Sequence, residues 1–421
     1  MQSERVGVVG LGYVGLPLAV TLADAGYEVV GVDADPERVN SLNAGESYVE
    51  DVSDGALQRH LPDRLHATTD YEALGDVEGV SICVPTPLDK TQRPNLSYVA
   101  DATESLAEVL APETTVILES TVYPRATDEV VAATLESAGF EVGSDVYVAF
   151  SPERIDPGNE EYTITDIPKV VGGVTAECGI QAQALYEPAF DEIVPVESAT
   201  EAELVKLLEN TFRTVNIALI NELATVAHEL DVNIWDTIDA AATKPFGFMP
   251  FYPGPGLGGH CLPIDPLYLS WKAGEQGVNI DFIDLADDVN RGMPNYVVDR
   301  ITTLLNDAGI PLSEASVFLV GLSYKADVAD TRESPAFDVI DLLTDRGAAI
   351  SVHDPIAQSI TVDEQTYQSV SNPVEAAAEA DLTVVLTDHE RVDLEAIVDA
   401  SGLVFDTRNA VDSRADTVFR L

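Results

Sequence analysis

The sequence predicts an α/β protein in which two Rossmann-like, doubly wound domains are joined by a long central helix. Strand-length apolar runs alternate with helical patterns through the first 195 residues, and this alternation is typical of a parallel sheet covered by helices. Residues 200–230 contain neither Gly nor Pro. The last third of the chain then repeats the layout of its start, which indicates a diverged internal pair of mononucleotide-type folds.

The first domain is predicted to span residues 1–195. An apolar strand at residues 6–9 leads into a glycine turn, and a helix at residues 16–25 ends before Gly26, the residue type that commonly terminates helices. Further strands of this domain are predicted at residues 29–32, 80–84, 115–118 and 146–150.

Residues 196–310 are predicted to form a central helical dimerisation and active-site loop region. Apolar residues recur at helical spacing through residues 200–230, over a wide arc, which favours one long helix that serves as a spine or a dimer interface. Residues 244–266 are dense in Gly, Pro and aromatic residues and are predicted to be loop, and helical patterns resume at residues 287–307.

The third domain is predicted to span residues 311–421. Its first strand is expected at residues 316–321, and Ser334 with Pro335 is typical of the N-cap and first position of a helix. That helix should end near Gly347. Further strands are predicted at residues 349–353, 382–386 and 403–405.

The charge balance excludes several classes of partner. The chain has 73 acidic and 22 basic residues and a formal net charge of -51, so it should repel nucleic acid and anionic membrane surfaces. A diffuse negative surface around an ordinary core indicates adaptation to concentrated salt, where self-repulsion is screened. No apolar stretch reaches the length of a membrane span, and the first residues do not resemble a signal peptide, so we expect a cytoplasmic protein.

The three cysteines are Cys83, Cys178 and Cys261, an odd number without a CxxC pair, so neither a disulfide framework nor a metal site is expected. Cys83 and Cys178 are interpreted as small core residues. Cys261 follows a glycine-rich stretch, which allows the backbone to wrap closely around a ligand while it presents a nucleophilic thiolate. The adjacent His260 is as compatible with a structural role as with a catalytic one.

A dinucleotide site is predicted at the first turn. Gly10, Gly12 and Gly15 match G-x-G-x-x-G between a strand and a helix, and Asp33 lies 21 residues beyond Gly12. The glycines admit pyrophosphate to the helix N-terminus, and the carboxylate would accept a hydrogen bond from a ribose hydroxyl, which favours NAD. Arg38 leaves NADP as a lesser alternative.

Polar residues elsewhere are placed to complete a site. Thr86, Thr121 and Glu153 follow predicted strands, where ligands bind in open α/β sheets. Lys206, Asn210 and Arg213 share one face of the long helix, where they could reach an active site or form a solvated stripe; both interpretations stay open.

The first turn of the third domain carries Lys325 and, further on, Arg332, which are cations suited to phosphate or to a nucleotide.

NAD together with a nucleophilic cysteine implies a four-electron oxidation. An alcohol becomes an aldehyde, Cys261 adds to give a thiohemiacetal, a second oxidation gives a thioester, and water releases the acid. Asp265 and Glu153 are candidate bases for the water, and Lys206 and Asn210 are candidate partners of the oxyanion. A second nucleotide-type domain suggests that the substrate carries its own nucleotide.

Over nearly its whole length the chain resembles the UDP-glucose/GDP-mannose 6-dehydrogenase family. The similar stretches are residues 10–15, 119–124, 153, 206 with 210, 258–265, 321–325 and 332–334. The resemblance implies a nucleophilic Cys261, oxyanion stabilisation by Lys206 and Asn210, and water activation by Asp265. It also implies that Glu153 and Thr121 take part in proton transfer or water positioning, and it implies a homodimer that binds NAD and a UDP-sugar.

Two sets of binding residues are expected. Cofactor contacts are expected from Gly10, Gly12, Tyr13, Val14, Gly15, Asp33, Arg38, Thr86, Thr121 and Arg332. Substrate contacts are expected from Glu153, Arg154, Lys206, Asn210, Arg213, Tyr252, Gly258 and Lys325.

The sugar is predicted from two positions at which this chain departs from the pattern of the UDP-glucose enzymes. UDP-glucose enzymes of this family usually carry a second glutamate four residues after the Glu153 position and a lysine just before the Asp265 position, whereas this chain has Pro157 and Ile264. Residues 151–158 and 252–265 look instead like the N-acetylhexosamine branch. UDP-N-acetylglucosamine is therefore predicted first, UDP-N-acetylmannosamine second and UDP-glucose third, and the water-activation scheme of UDP-glucose enzymes transfers less directly.

Two other classes of protein share parts of this pattern. A two-electron hydroxyacid dehydrogenase would have the NAD domain and a long helix but would not need Cys261. A nucleotide-sugar sensor would keep the binding loops and lose the chemistry. Both predict that Cys261→Ser leaves function nearly unchanged.

Overall fold

The computed structural model describes residues 4–49, 51–155, 162–259, 262–412 and 415–421. The chain divides into two compact units. The first comprises residues 1–209 and 267–278, and the second comprises residues 210–266 and 279–421. Each unit contains a parallel sheet with helices packed on it, which confirms the predicted α/β class with a Rossmann-like first domain.

The first unit is organised around an eight-stranded sheet in the order β3-β2-β1-β4-β5-β6-β7-β8, parallel except between β6 and β7. Its strands are β1 (Arg5–Val9), β2 (Glu28–Val32), β3 (Leu65–Thr68), β4 (Gly79–Ile82), β5 (Thr114–Leu118), β6 (Val146–Phe150), β7 (Lys169–Gly173) and β8 (Ile193–Val196). Its helices include α1 (Gly15–Asp24), α2 (Pro36–Ala44), α3 (Asp54–Gln58), α4 (Ser97–Ala107), α5 (Ala133–Ser137), which continues a π-helical segment at Thr127–Ala132, and α6 (Ala176–Tyr186).

The register of this sheet brings its loops together. Val9 pairs with Val32 of β2 and with Ile82 of β4. Ile82 in turn pairs with Leu118 of β5, and Leu118 with Phe150 of β6. Because these five strands are parallel and in register, the turns that follow them lie along one edge of the sheet.

The central segment is helical, as predicted. Its helices are α7 (Ala199–Glu229), α8 (Ile234–Ala242), α9 (Asp265–Glu275) and α10 (Asp281–Asp307). The 31-residue α7 confirms the predicted long helix. Two boundaries differ from the prediction: α9 begins within the last two residues of the predicted loop, and α10 begins six residues early and continues through Pro294. Two aspartates in its first turn favour the earlier start, because negative charge stabilises a helix N-terminus.

The second unit contains a five-stranded parallel sheet in the order β10-β9-β13-β14-β15 and a separate antiparallel hairpin of β11 and β12. The strands are β9 (Ser316–Val320), β10 (Ala349–His353), β11 (Ser359–Val362), β12 (Gln365–Gln368), β13 (Leu382–Val385), β14 (Val404–Asp406) and β15 (Val418–Arg420). The helices on this sheet are α11 (Pro335–Asp345), α12 (Pro373–Glu379) and α13 (Leu394–Ala400). As predicted, the Ser334 hydroxyl caps α11 by accepting the N–H of Ala336.

The eight-stranded and five-stranded sheets have apolar clusters on both faces. In β1, Val8 packs into one cluster with Leu18, and Val9 into another with Leu106. Cys83 and Cys178 are also buried, which confirms that they are interior residues. Across the described residues, no helix combines the length and the apolar character needed to cross a membrane.

Candidate active site

The first turn of the first unit has the shape that a pyrophosphate needs. Gly10 has a φ of +89°, and a Cβ there would lie 2.6 Å from the Cys83 carbonyl oxygen. A Cβ on Gly15 would lie 1.8 Å from the Gly10 carbonyl oxygen. A Cβ on Gly12 would meet no atom within 4 Å, so the turn is open at that point. The turn is therefore closed on its inner side and accessible at Gly12, ahead of α1.

Asp33 is held beside this turn at the end of β2. Its two carboxylate oxygens accept the N–H of Leu11 at 2.8 Å and the N–H of Asp35 at 2.9 Å. Arg38 lies 3.6 Å from the same carboxylate and over the ring of Tyr48. The carboxylate is an acceptor for a ribose hydroxyl and would repel a phosphate, so these residues fit NAD.

Other predicted cofactor residues belong to the first unit as well. Thr86 is buried, and its carbonyl accepts a hydrogen bond from the Tyr268 hydroxyl at 2.6 Å. The Ser120 hydroxyl donates to the Val84 carbonyl at 2.7 Å, which ties the loop that carries Thr121 to the loop after β4. Tyr13 is exposed and Val14 directly precedes α1.

Glu153 lies in a buried ionic cluster that the sequence analysis did not predict. The Lys169 ammonium lies 3.3 Å from one Glu153 oxygen and 2.7 Å from a Glu119 oxygen. The Tyr186 hydroxyl donates to the other Glu119 oxygen at 2.5 Å and lies 2.7 Å from the Ser81 hydroxyl. We call these five residues the Lys169 cluster. The signal that could have revealed it is one of the six lysines of the chain, placed directly before the apolar pair Val170 and Val171.

The neighbours of Glu153 favour its ionised form. Burial alone would raise the pKa of the Glu153 carboxyl, but the Lys169 charge opposes burial. The N–H groups of Ile155 and Arg154 donate to one carboxylate oxygen at 2.8 and 2.7 Å. Together with the charge of Lys206, they bring the pKa of Glu153 below its ordinary value.

Glu119 and Lys169 respond differently from Glu153. Burial raises the pKa of Glu119 even though Lys169 is adjacent. Burial would lower the pKa of Lys169, but the two carboxylates outweigh it and raise that pKa. The cluster therefore holds one firmly protonated ammonium between two carboxylates.

Arg154 and Lys206 belong to the first unit, as the Lys169 cluster does. The Arg154 guanidinium donates to both carboxylate oxygens of Glu209 and, at 2.8 Å, to the Pro168 carbonyl. Lys206 is buried on α7. Arg154 therefore has a structural bond to α7 in addition to its predicted contact with substrate.

In the second unit, α7 holds the segment that follows Cys261. Asn210 donates its side-chain N–H to Asp265 at 2.5 Å, and the Thr214 hydroxyl donates to the Leu262 carbonyl at 3.0 Å. Asp265 is buried at the first position of α9. Asn210 and Asp265, both predicted from the sequence to belong to one site, therefore contact each other.

Three positions discussed from the sequence, Pro157, His260 and Cys261, lie outside the described residues.

The glycine-rich segment before Cys261 packs against the first turn of the C-terminal sheet. A Cβ on Gly258 would lie 2.5 Å from the Tyr324 Cβ, and a Cβ on Gly259 would lie 2.8 Å from the Tyr324 ring. The Gly259 N–H also donates to the Arg332 carbonyl at 3.1 Å. The backbone at both positions approaches the turn that bears Lys325 too closely for any side chain.

That turn is fixed by a buried carboxylate. Asp354 accepts the N–H groups of Leu322 and Ser323 at 2.7 and 3.1 Å, and His389 Nε2 lies 3.0 Å from the same oxygen. Burial alone would raise the pKa of Asp354, but His389 and the backbone donors outweigh it and hold that pKa well below its usual range. Because Asp354 stays ionised, the turn that presents Lys325 keeps its hydrogen bonds.

The remaining predicted residues lie on the surface of the second unit. Tyr252 stacks on Trp235 with ring centroids 5.5 Å apart and donates its hydroxyl to Asp239 at 2.8 Å. Arg213 is exposed, and the Arg332 guanidinium pairs with Asp330. Within the described parts of the chain, no group of three or more His, Cys, Asp or Glu side chains is arranged to hold a metal ion.

Comparison with protein families gives three matches along the chain. Residues 4–190 match the NAD-binding domain of the UDP-glucose/GDP-mannose dehydrogenase family. Residues 200–292 match the central domain of that family, and residues 318–413 match its UDP-binding domain.

Individual relatives agree with this match. A UDP-N-acetyl-D-mannosamine dehydrogenase from Methanococcus maripaludis is 34% identical, with 97% of this chain and 93% of the relative covered. The structure of a UDP-D-ManNAc dehydrogenase from Pyrococcus horikoshii is 33% identical, covers 99% of both chains and has a TM-score of 0.90. A UDP-glucose dehydrogenase from Pyrobaculum islandicum is 27% identical, with 99% and 97% covered and a TM-score of 0.87.

Proposed function

Because the chain belongs to the UDP-glucose/GDP-mannose dehydrogenase family, we propose that it oxidises the C6 hydroxyl of a UDP-N-acetylhexosamine to the uronic acid. The family establishes the wider class, an NAD-dependent nucleotide-sugar dehydrogenase. The observation that carries the finer proposal lies in the second unit. There, Gly258 and Gly259, which precede Cys261 in the sequence, pack on the turn that bears Lys325.

The proposed reaction uses residues of this chain for all steps except electron acceptance. Bound NAD supplies a two-electron acceptor twice per sugar. After the first oxidation the Cys261 thiolate adds to the aldehyde carbon, and loss of a second hydride from that carbon gives the thioester. Lys206 and Asn210 stabilise the oxyanion, and Asp265 and Glu153 position water and accept its proton. Hydrolysis returns the thiolate and releases the carboxylate.

Asp265 is suited to this role because Asn210 fixes one of its oxygens. Glu153 is suited because its ionised form is favoured. An ionised, oriented carboxylate can receive a proton from water.

N-acetylmannosamine is the first candidate for the sugar. The relatives from Methanococcus maripaludis and Pyrococcus horikoshii carry that substrate in their names. The sequence patterns around Pro157 and Ile264 favour an N-acetylhexosamine without selecting the epimer. N-acetylglucosamine, which the sequence alone predicted first, therefore becomes the second candidate, and glucose is the third.

The test measures NADH formed per sugar consumed, with UDP-N-acetylmannosamine, UDP-N-acetylglucosamine and UDP-glucose offered separately in strong KCl. We expect two NADH per sugar and uronate as product. Cys261→Ser should lower uronate formation at least about 1,000-fold, because the thioester cannot form. Cys178→Ala removes a buried thiol elsewhere and should retain two NADH per sugar.

Either of two results would refute this proposal. One NADH per sugar would mean a two-electron dehydrogenase. Full activity in Cys261→Ser would mean that the thiol takes no part.

We infer further that the protein forms a homodimer through α7. Six large apolar side chains on that helix are exposed within one arc: Leu204, Leu208, Phe212, Leu219, Leu223 and Val226. An exposed apolar stripe of this length is typical of a surface that packs against another protein. A second copy of the same helix would be self-complementary to it in a two-fold arrangement.

We also infer that the protein is adapted to concentrated salt, since its net charge of -51 is spread over folded units.

A further inference from the structure

Lys169 opens β7 in the first unit and is almost completely buried, with 4% of its surface exposed. Its ammonium reaches Glu119 at 2.7 Å and Glu153 at 3.3 Å, and it lies over the rings of Tyr186 and Phe190. Burying an ammonium is costly unless it is paired, so a lysine at this position needs both carboxylates.

The two carboxylates are held differently. Glu119 is 1% exposed and accepts the Tyr186 hydroxyl, whose oxygen also lies within hydrogen-bond distance of Ser81. Glu153 is 7% exposed, with one oxygen fixed by two backbone N–H groups and the other facing Lys169. Glu119 therefore anchors the lysine, and the lysine in turn faces the carboxylate proposed to act in the reaction.

From this arrangement we propose that Lys169 is a positioning residue, which holds Glu153 ionised and correctly oriented for the hydrolytic step. The inference rests on the proposed function, because it concerns the same site. Lys169 acts through Glu153 and not on the substrate. The charged or titratable groups that face Glu153 come from four surrounding elements: Lys169 on β7, Lys206 on α7, Glu119 after β5 and Cys83 after β4.

The test follows kcat and KM against pH for the UDP-sugar that the wild-type protein oxidises fastest. Lys169→Met leaves Glu153 buried without its nearest cation, so protonation of the carboxylate becomes easier. The acid limb of the kcat profile should move to higher pH by about 1 to 3 units. At neutral pH kcat should also fall, because Glu153 has lost the ammonium that orients it, while KM for the sugar changes less than about 3-fold. Lys169→Arg keeps the charge and should restore most of the activity and the original limb.

A second pair of variants separates charge from disruption of the fold. Glu119→Gln removes one negative charge and keeps the cation, so the acid limb should stay at or below its wild-type position. The double variant Lys169→Met with Glu119→Gln removes both partners of a buried ion pair together, which proteins tolerate better than loss of one. Its acid limb should still rise, because Glu153 has lost its cation.

Lys272 provides a matched control. It is buried in the same unit and pairs with Glu129 at 2.7 Å. Lys272→Met should leave the pH profile unchanged per folded molecule.

Three results would overturn the inference. An unchanged acid limb in Lys169→Met and in the double variant would show that Lys169 does not control Glu153. A rise of the same size in Glu119→Gln would assign the effect to local disruption. Failure of Lys169→Arg to recover activity above Lys169→Met would do the same.

In those cases the wild-type protein still oxidises the sugar, and the proposed function stands. If the wild-type protein oxidises none of the three sugars, the proposed function and this inference fail together.

Discussion

Individual glycines of this protein are needed for two opposite reasons. Gly12 faces open space, so its missing side chain leaves room for a ligand. Gly258 instead faces protein, since a Cβ there would lie 2.5 Å from the Tyr324 Cβ and 2.8 Å from the Glu333 carbonyl oxygen. The absent side chain of Gly12 leaves space for the cofactor, whereas the absent side chain of Gly258 allows two segments of one unit to pack together.

The crowding at Gly258 yields a prediction. Gly258→Ala should lower the free energy of unfolding by about 1 to 3 kcal/mol, because a methyl group forces the two segments apart. It should also raise KM for the UDP-sugar, since the displaced turn bears Lys325. Urea unfolding and steady-state kinetics measure the two effects.

Gly402→Ala is the control for that prediction, because a Cβ at Gly402 would meet no atom within 4 Å. Equal free energies of unfolding and equal KM values in the two variants would show that the Gly258 segment and the turn that bears Lys325 can move apart without loss of stability or substrate binding.

At the scale of elements, α7 combines three functions along 31 residues. Lys206 is buried on one face, Asn210 on the same face holds Asp265, and an exposed arc carries the apolar stripe. The amphipathic pattern that predicts such a helix does not separate a core face from an interface face, because both are apolar.

The stripe on α7 predicts the oligomeric state. Replacing Leu219 and Leu223 together by Ser should convert a dimer into a monomer, because the centre of the apolar arc is lost. Light scattering coupled to size exclusion, at fixed KCl and protein concentration, gives the mass directly. Ile180→Ser removes an exposed apolar side chain of α6 and should leave the mass unchanged. A monomeric wild-type protein, or a dimer unaffected by the double replacement, would contradict the assignment.

At the scale of the whole molecule, the excess of negative charge is the main influence on the stability of the fold. With 73 acidic and 22 basic residues, the folded chain concentrates like charges that the unfolded chain can spread apart. This repulsion is screened over about 10 Å at 0.1 M salt and about 3 Å at 1 M.

We therefore expect the midpoint of thermal unfolding to rise steadily as KCl increases from about 0.1 M to about 1 M, where screening is nearly complete. Scanning calorimetry at constant pH measures the midpoint. Sucrose stabilises folded proteins without screening charge and serves as the comparison. A midpoint independent of KCl would show that repulsion between the acidic residues does not destabilise the folded state.

The sequence by itself determined the fold class, the long helix and the NAD turn, because these depend on local signals. Glycine spacing, apolar periodicity and the Ser334–Pro335 cap each act within a few residues. Short or polar strands were missed for the same reason: β7 begins with a lysine and ends with two glycines, so its own residues do not indicate a strand.

Only the tertiary structure decided which polar side chains meet. Lys169 lies 50 residues from Glu119 and 16 from Glu153, and Asn210 lies 55 residues from Asp265. No local pattern links residues so far apart. Glu119 and Glu153 follow the neighbouring parallel strands β5 and β6, and β7 runs antiparallel to β6, so its first residue, Lys169, lies beside the ends of those strands. Asn210 and Asp265 come together because a long helix passes beside the loop that follows Cys261. Burial then makes the protonation of Glu119, Glu153 and Lys169 depend on one another, since a charge removed from water persists only beside an opposite charge or a donor.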